Sequence, residues 1–142
     1  MPSSAYESAD LLLKLYDLRR EEALRKARMW FGTFHPESAQ DVLHAVRGEH
    51  SAYFRMVTSY WDMAAALVNH GAIDEEMFRD ANGEYLVVFA KLEPFLAQYR
   101  ETVGAPQYLQ QLERLVARMP DAQARLAAVR ERIQKMTART GA

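Results

Sequence analysis

Apolar side chains in this chain recur at intervals of three and four over long stretches, and the residues that stop helices fall between those stretches. Pro2, Pro36, Gly48, Gly71, Gly104 with Pro106, Pro120 and Gly141 are the breakers, and no segment alternates apolar and polar residues as a half-buried strand does. This pattern confines the chain to an all-α fold, expected as a helical bundle of about five to six helices. Ser3 or Ser4 caps a first helix that the spacing of Leu12, Leu15, Tyr16, Ala23, Ala27, Trp30 and Phe34 carries through Phe34. About 30 residues at roughly 1.5 Å each give a helix near 45 Å long. That exceeds the width of a small domain, so the long N-terminal helix is expected to bend or to project.

Pro36-Glu37 opens a short second helix that ends before Gly48. The third, from Glu49 to His70, has apolar residues over most of its circumference and is expected to be the central, most buried one. Gly71 then suits a left-handed C′ position, and Asp74 suits the N-cap of a fourth helix with Glu75 and Glu76 in its first turn. The face Phe78, Ala81, Tyr85, Val88, Leu92, Phe95 and Tyr99 makes a central antiparallel hairpin with the third helix the expected packing unit. Gly83 and Pro94 both interrupt this fourth helix, and a kink is expected at one of them. A fifth helix follows Pro106 and stops at Pro120. In the last segment Leu126, Val129, Ile133 and Met136 form a narrow seam at intervals of three and four, so 120–142 reads as a packing or oligomerisation helix appended to a single helical domain over 1–142.

With 142 residues the chain can own a real core, a domain of this size burying roughly 70% of its unfolded surface. It has no cysteine, which excludes disulfides, thiolate metal sites and cysteine nucleophiles. No basic leader precedes Leu11, and no apolar run approaches the roughly 18 to 20 residues that span a bilayer, so no membrane span is expected and a cytoplasmic location is. Net charge is −1, but residues 1–34 carry 6 basic and 5 acidic side chains, 35–104 carry 5 and 11, and 105–142 carry 7 and 3. An acidic middle and a basic tail can attract each other within one molecule or between copies, or draw the tail toward an anionic partner, the first two being favoured because the basic excess is small.

Chemistry-bearing constellations are scarce. Two-metal helical sites need paired Glu-x-x-His motifs, whereas this chain has only Asp41-x-x-His44, and His35, His50 and His70 stand at helix ends. Glycines occur singly, with no phosphate-binding loop, and no serine lies in a nucleophile motif. No catalytic, cofactor-binding or metal-ligating residue is therefore assigned. Asp62 and Glu84, set among apolar neighbours, are the carboxylates that desolvation would most affect, and with Tyr85 they are the pocket candidates. Asp62 shares its stripe with Arg55, Thr58, Ser59, Ala66 and Asn69, which suits an exposed or Arg-paired acid better than a buried one. Arg125, Arg130, Arg132, Lys135 and Arg139 give the last helix a basic face, but acids interrupt it and no helix-turn-helix spacing is evident.

The stretch His50-Ser51-Ala52-Tyr53-Phe54-Arg55 through Tyr60-Trp61, then Gly71-Ala72-Ile73-Asp74-Glu75-Glu76-Met77-Phe78 with Gly83-Glu84, and finally Leu92-Glu93-Pro94-Phe95-Leu96, resembles a bacterial family of small helical proteins catalogued as a domain of unknown function. The resemblance covers about residues 50–100 and implies a small bacterial helical bundle, with no activity attached. From the residues themselves the leading expectation is a noncatalytic interaction or scaffold module that self-associates, as a dimer, through its first helix and the C-terminal seam. The competing reading is a small-ligand-binding protein or enzyme with a pocket between the third and fourth helices. A further one is weak nucleic-acid binding through the basic C-terminal helix.

Overall fold

The computed structural model describes residues 3–139, and the breakers Pro2 and Gly141 lie outside them. Among the described residues the chain forms eight helices and no strand: α1 Ala5–Arg19, α2 Glu22–Thr33, α3 Ala39–Arg47, α4 Ser51–Asn69, α5 Glu75–Ala81, α6 Glu84–Val103, α7 Gln110–Ala117 and α8 Ala122–Arg139. The all-α expectation holds, while the count of five to six is corrected by two breaks, each splitting one expected helix in two.

The first break resolves the problem of the long N-terminal helix. Ser4 starts α1 with a capping box, its hydroxyl accepting from the Glu7 amide at 3.2 Å and the Glu7 carboxylate accepting from the Ser4 amide at 3.0 Å. The helix closes at Arg20, and Glu21 turns extended, its two carboxylate oxygens each accepting a backbone N–H, from Ala23 and Leu24, at 3.1 Å. The acid thus satisfies two of the orphan donors of a new helix and sits at the positive end of its dipole. The second break falls at Asn82-Gly83. Here the Asn82 amide donates to the Phe78 carbonyl at 3.1 Å and so closes α5, leaving Gly83 as the uncapped lead-in to α6.

Of the two interruptions expected in the fourth helix, Gly83 becomes a break, whereas Pro94 lies inside the uninterrupted α6. A proline cannot donate to the carbonyl four residues back, which here is that of Ala90. Arg130 of α8 supplies the missing donor, its Nε lying 2.8 Å from the Ala90 oxygen. Gly71 adopts φ 82, as its place after the third expected helix requires, and Asp74 caps α5 by accepting from the Met77 amide at 2.9 Å.

The expected central hairpin is also corrected. α4 is the most buried helix, but its backbone packs chiefly between α2 and α7, while α6 packs chiefly on α8 and α3. Ala27 on α2 and Ala64 and Ala65 on α4 are fully buried small side chains that suit this close approach. The physical reason is the short α5, which lies against α1 and α4 and redirects the chain before α6 begins. Buried side chains still form one continuous core through α1 to α8.

Candidate functional site

Glu84, a pocket candidate, opens α6 and gathers three helices around its carboxylate. Arg28 of α2 grips it in bidentate fashion, Nε to Oε2 at 2.9 Å and Nη2 to Oε1 at 2.8 Å, and the Trp61 indole of α4 donates to Oε2 at 3.0 Å. Arg19 of α1 lies over the Trp61 ring at 5.4 Å and bonds Asn82 Oδ1 at 3.0 Å. Burial pushes the Glu84 carboxyl up, but the Arg28 hydrogen bonds and charge and the indole donor outweigh it and hold it below the usual value of 4.5. A group with a depressed folded value stabilises the fold above its unfolded value, and this contribution disappears as pH falls through the folded one. The wild-type chain is therefore expected to lose more thermal stability between pH 5 and pH 2.5 than Glu84→Gln, as calorimetry at the two pH values would read; equal losses would show that Glu84 contributes nothing to the acid limb.

The other pocket candidates take structural places. Tyr85 is buried, its hydroxyl 4.0 Å from Met119 Sδ. Asp62 is half-buried, and its Oδ1 accepts from the Leu112 amide at 2.9 Å. Leu109, which precedes α7 at φ 56, has no side-chain cap to offer, so Asp62 reaches from α4 to satisfy the first turn of α7. Glu84 borders a recess of about 300 Å³ shared with Arg28, Phe31, Val57, Val88 and Lys91. Asp41, the acid of the Asp-x-x-His pair, accepts from the Glu37 amide at 2.8 Å beside the Ser38 cap of α3.

In the candidate seam Leu126 and Val129 are buried, Ile133 is half-buried against the core, and Met136 is exposed. α8 lays this face on α6 of the same molecule. Its basic side chains are divided: Arg130 pairs with Glu93 at 2.6 Å, Lys135 pairs with Glu131 one turn back at 3.3 Å, and Arg125, Arg132 and Arg139 are exposed.

A different surface carries exposed apolar side chains, of which Tyr16 has Arg19 over its ring at 5.2 Å. α1 buries Ser8 and Leu15 and half-buries Leu11 and Leu12, yet it exposes Tyr6 at 83%, Leu13 at 68%, Tyr16 at 54% and Leu18 at 52%. Spacings of seven and three place Tyr6, Leu13 and Tyr16 on one face, turned away from the buried Ser8 and Leu15. The helix is thus apolar on two sides, and the protomer's own core uses one.

Sequence reasoning missed the Arg28–Glu84 pair, whose members are 56 positions apart, and it missed Lys91, the one cation within the run Leu86–Leu92. That lone lysine in an apolar row was the available signal. Among the described residues no group of three or more His, Cys, Asp or Glu gathers as a metal would need, and no helix is long and apolar enough to cross a membrane. With this geometry in place, the chain matches over residues 4–119 the family model described as Domain of unknown function (DUF4760), a span that runs from the cap of α1 past the end of α7 and leaves α8 beyond it. No curated protein and no solved structure matches the chain.

Proposed function

We propose, from the premise that the chain belongs to the Domain of unknown function (DUF4760) family, that it is a noncatalytic interaction module that forms a dimer of identical copies through α1. The carrying observation is the second apolar face of that helix, Tyr6, Leu13 and Tyr16, exposed beside a core that already uses Ser8 and Leu15. Contiguous apolar patches on soluble monomers are commonly interaction surfaces.

A second copy suits this face because the helix is self-complementary when paired antiparallel. A twofold axis at Leu13 sets Leu13 against itself, Tyr6 of one copy opposite Arg20 of the other, and Asp10 opposite Tyr16. Each contact then occurs twice, as an isologous interface requires, and the Tyr6 ring meets a guanidinium. The C-terminal seam contributes less to this reading than the sequence suggested, since Leu126 and Val129 are already covered by α6 and only Ile133 and Met136 retain exposed surface.

Sedimentation equilibrium tests the proposal. The wild-type chain is expected to be dimeric at micromolar concentration, and Leu13→Asp is expected to weaken the dimer by about 100-fold, roughly 3 kcal/mol, without unfolding a protomer in which Leu13 is largely exposed. Met136→Asp, on α8, is expected to leave the equilibrium unchanged. A wild-type monomer at about 100 µM, a concentration at which even a dimer worth only roughly 5.5 kcal/mol is half formed, overturns the reading.

A further inference from the structure

Lys91 occupies a position in α6 that the helical spacing assigns to the core. It is 8% exposed, and its Nζ donates to the Phe31 carbonyl at 2.8 Å and lies 5.2 Å from the centre of the Phe31 ring. Among the described residues no carboxylate stands within ion-pairing distance of it. An ammonium has three donors, and one is used here. A buried cation with a single neutral acceptor and no counter-ion is costly, and native proteins ordinarily remove that cost with a partner. Burial pulls the lysine down to about 8, with the more distant Glu84 charge working in the opposite direction.

The lysine forms part of the wall of a cleft of about 540 Å³, which lies between the α2–α3 connection, α6 and α8. This volume lies in the range of small-molecule sites. Phe95, Pro94, Pro36 and Ile133 supply an apolar lining, and His35, Glu37 and Arg130 are the other titratable or charged groups on it. Burial and the Lys91 charge lower the pKa of His35, so its imidazole is neutral near pH 7. Arg130 is already neutralised by Glu93 at 2.6 Å, and behind the lysine the Arg28–Glu84 pair at 2.8 Å is neutral as a unit. Lys91 is therefore the cation of this lining that no carboxylate pairs, and the exposed Glu37 is the acid that shares the lining with it.

We propose that this cleft binds a small organic monocarboxylate with an apolar body, its carboxylate accepting from Lys91 Nζ and its body lying against Phe95 and Ile133. A monoanion suits a single unpaired ammonium, since a dianionic phosphate would need a second free cation, while Arg130 is held by Glu93 and Glu37 adds a negative charge to the lining. α8 furnishes one wall through Ile133, Gln134 and Ala138, so the part of the chain beyond the family match completes a site whose lysine lies within it.

Isothermal titration calorimetry with sodium octanoate as the probe, and 1-octanol as its neutral counterpart, tests the site on the full chain. Octanoate is expected to bind one per protomer at pH 7, with octanol and the Lys91→Met variant each weaker by about 10-fold or more. Raising the pH from 7 to 9.5 discharges Lys91 while octanoate remains ionised and His35 remains neutral, so binding by the wild type is expected to weaken over that interval. Should Lys91→Met not fold, Ile133→Trp, which fills the cleft from α8 and leaves the ammonium in place, is expected to abolish binding. Absence of octanoate binding, equal binding of octanol, or octanoate binding undiminished in the variant that folds overturns the proposal. The dimer of α1 is read by sedimentation and the cleft by calorimetry, so the two stand or fall separately.

Discussion

Trp61→Ala is expected to destabilise the fold by about 4 kcal/mol or more, the upper range for an aromatic removed from a close-packed core. The indole is 1% exposed and stands edge-on to Tyr60 at 4.8 Å and to Phe78 at 6.4 Å, so truncation opens a cavity bounded by side chains that are themselves fixed. It also removes the Nε1 donor from the Glu84 carboxylate and the ring beneath Arg19. Trp61→Phe separates the two effects, because it keeps most of the ring volume and loses the donor, for which about 1–2 kcal/mol is expected. Urea titrations followed by circular dichroism give both values. A midpoint lowered by about 2 M for the alanine variant, at unchanged slope, is the expected result. A shift no greater for alanine than for phenylalanine would mean that the indole acts through its hydrogen bond and hardly through its volume.

Phe78→Ala is expected to cost about 3 to 4 kcal/mol and to do so locally first. Phe78 is 0% exposed and is the only buried residue of α5, a helix of 7 residues. A helix this short is not stable by itself in water, so α5 persists only because Phe78 anchors it between Trp61 and Tyr85, the latter ring centre 5.2 Å away. Amide exchange is therefore expected to accelerate in 75–81 before it does in α4 or α7. The loss would then reach the rest of the molecule, since α5 places the turn from which Glu84 begins α6. Because the Trp61 and Phe78 rings touch, the double variant is expected to lose less than the two single losses together. Exchange that rises evenly over all helices would show that α5 has no separate opening.

What was legible along the chain was what neighbouring residues decide among themselves. Ser4 caps α1, Asp74 caps α5 and Gly71 ends α4 with φ 82, and in each case donor, acceptor or permitted backbone angle lies within a few positions. The break at Glu21 was not legible. Glutamate is not a favoured cap, no glycine or proline marks the site, and the periodicity of α1 and α2 continues across it; the carboxylate's grip on Ala23 and Leu24 becomes decisive only once the two helices take different directions. Pro94 misled in the opposite way, because the carbonyl it leaves without a donor is served by Arg130 from another helix.

The functional surfaces follow the same division. Sequence established a helical chain and the scarcity of catalytic residue types, since spacing and composition are properties of the chain alone, whereas Tyr16 and Met136, which the spacing set on packing faces, are exposed. Which apolar face meets which partner belongs to the tertiary structure. The seam of α8 could in principle have served another copy, yet α6 takes Leu126 and Val129, while the equally apolar α1 keeps Tyr6 and Leu13 in solvent. Glu84 was legible as a carboxylate in an apolar setting, but its neutralisation by Arg28, and the absence of any such partner at Lys91 among the described residues, depend on residues distant in sequence and adjacent in space. A charge in a core is paired or costly according to geometry, and only the packed helices supply that geometry.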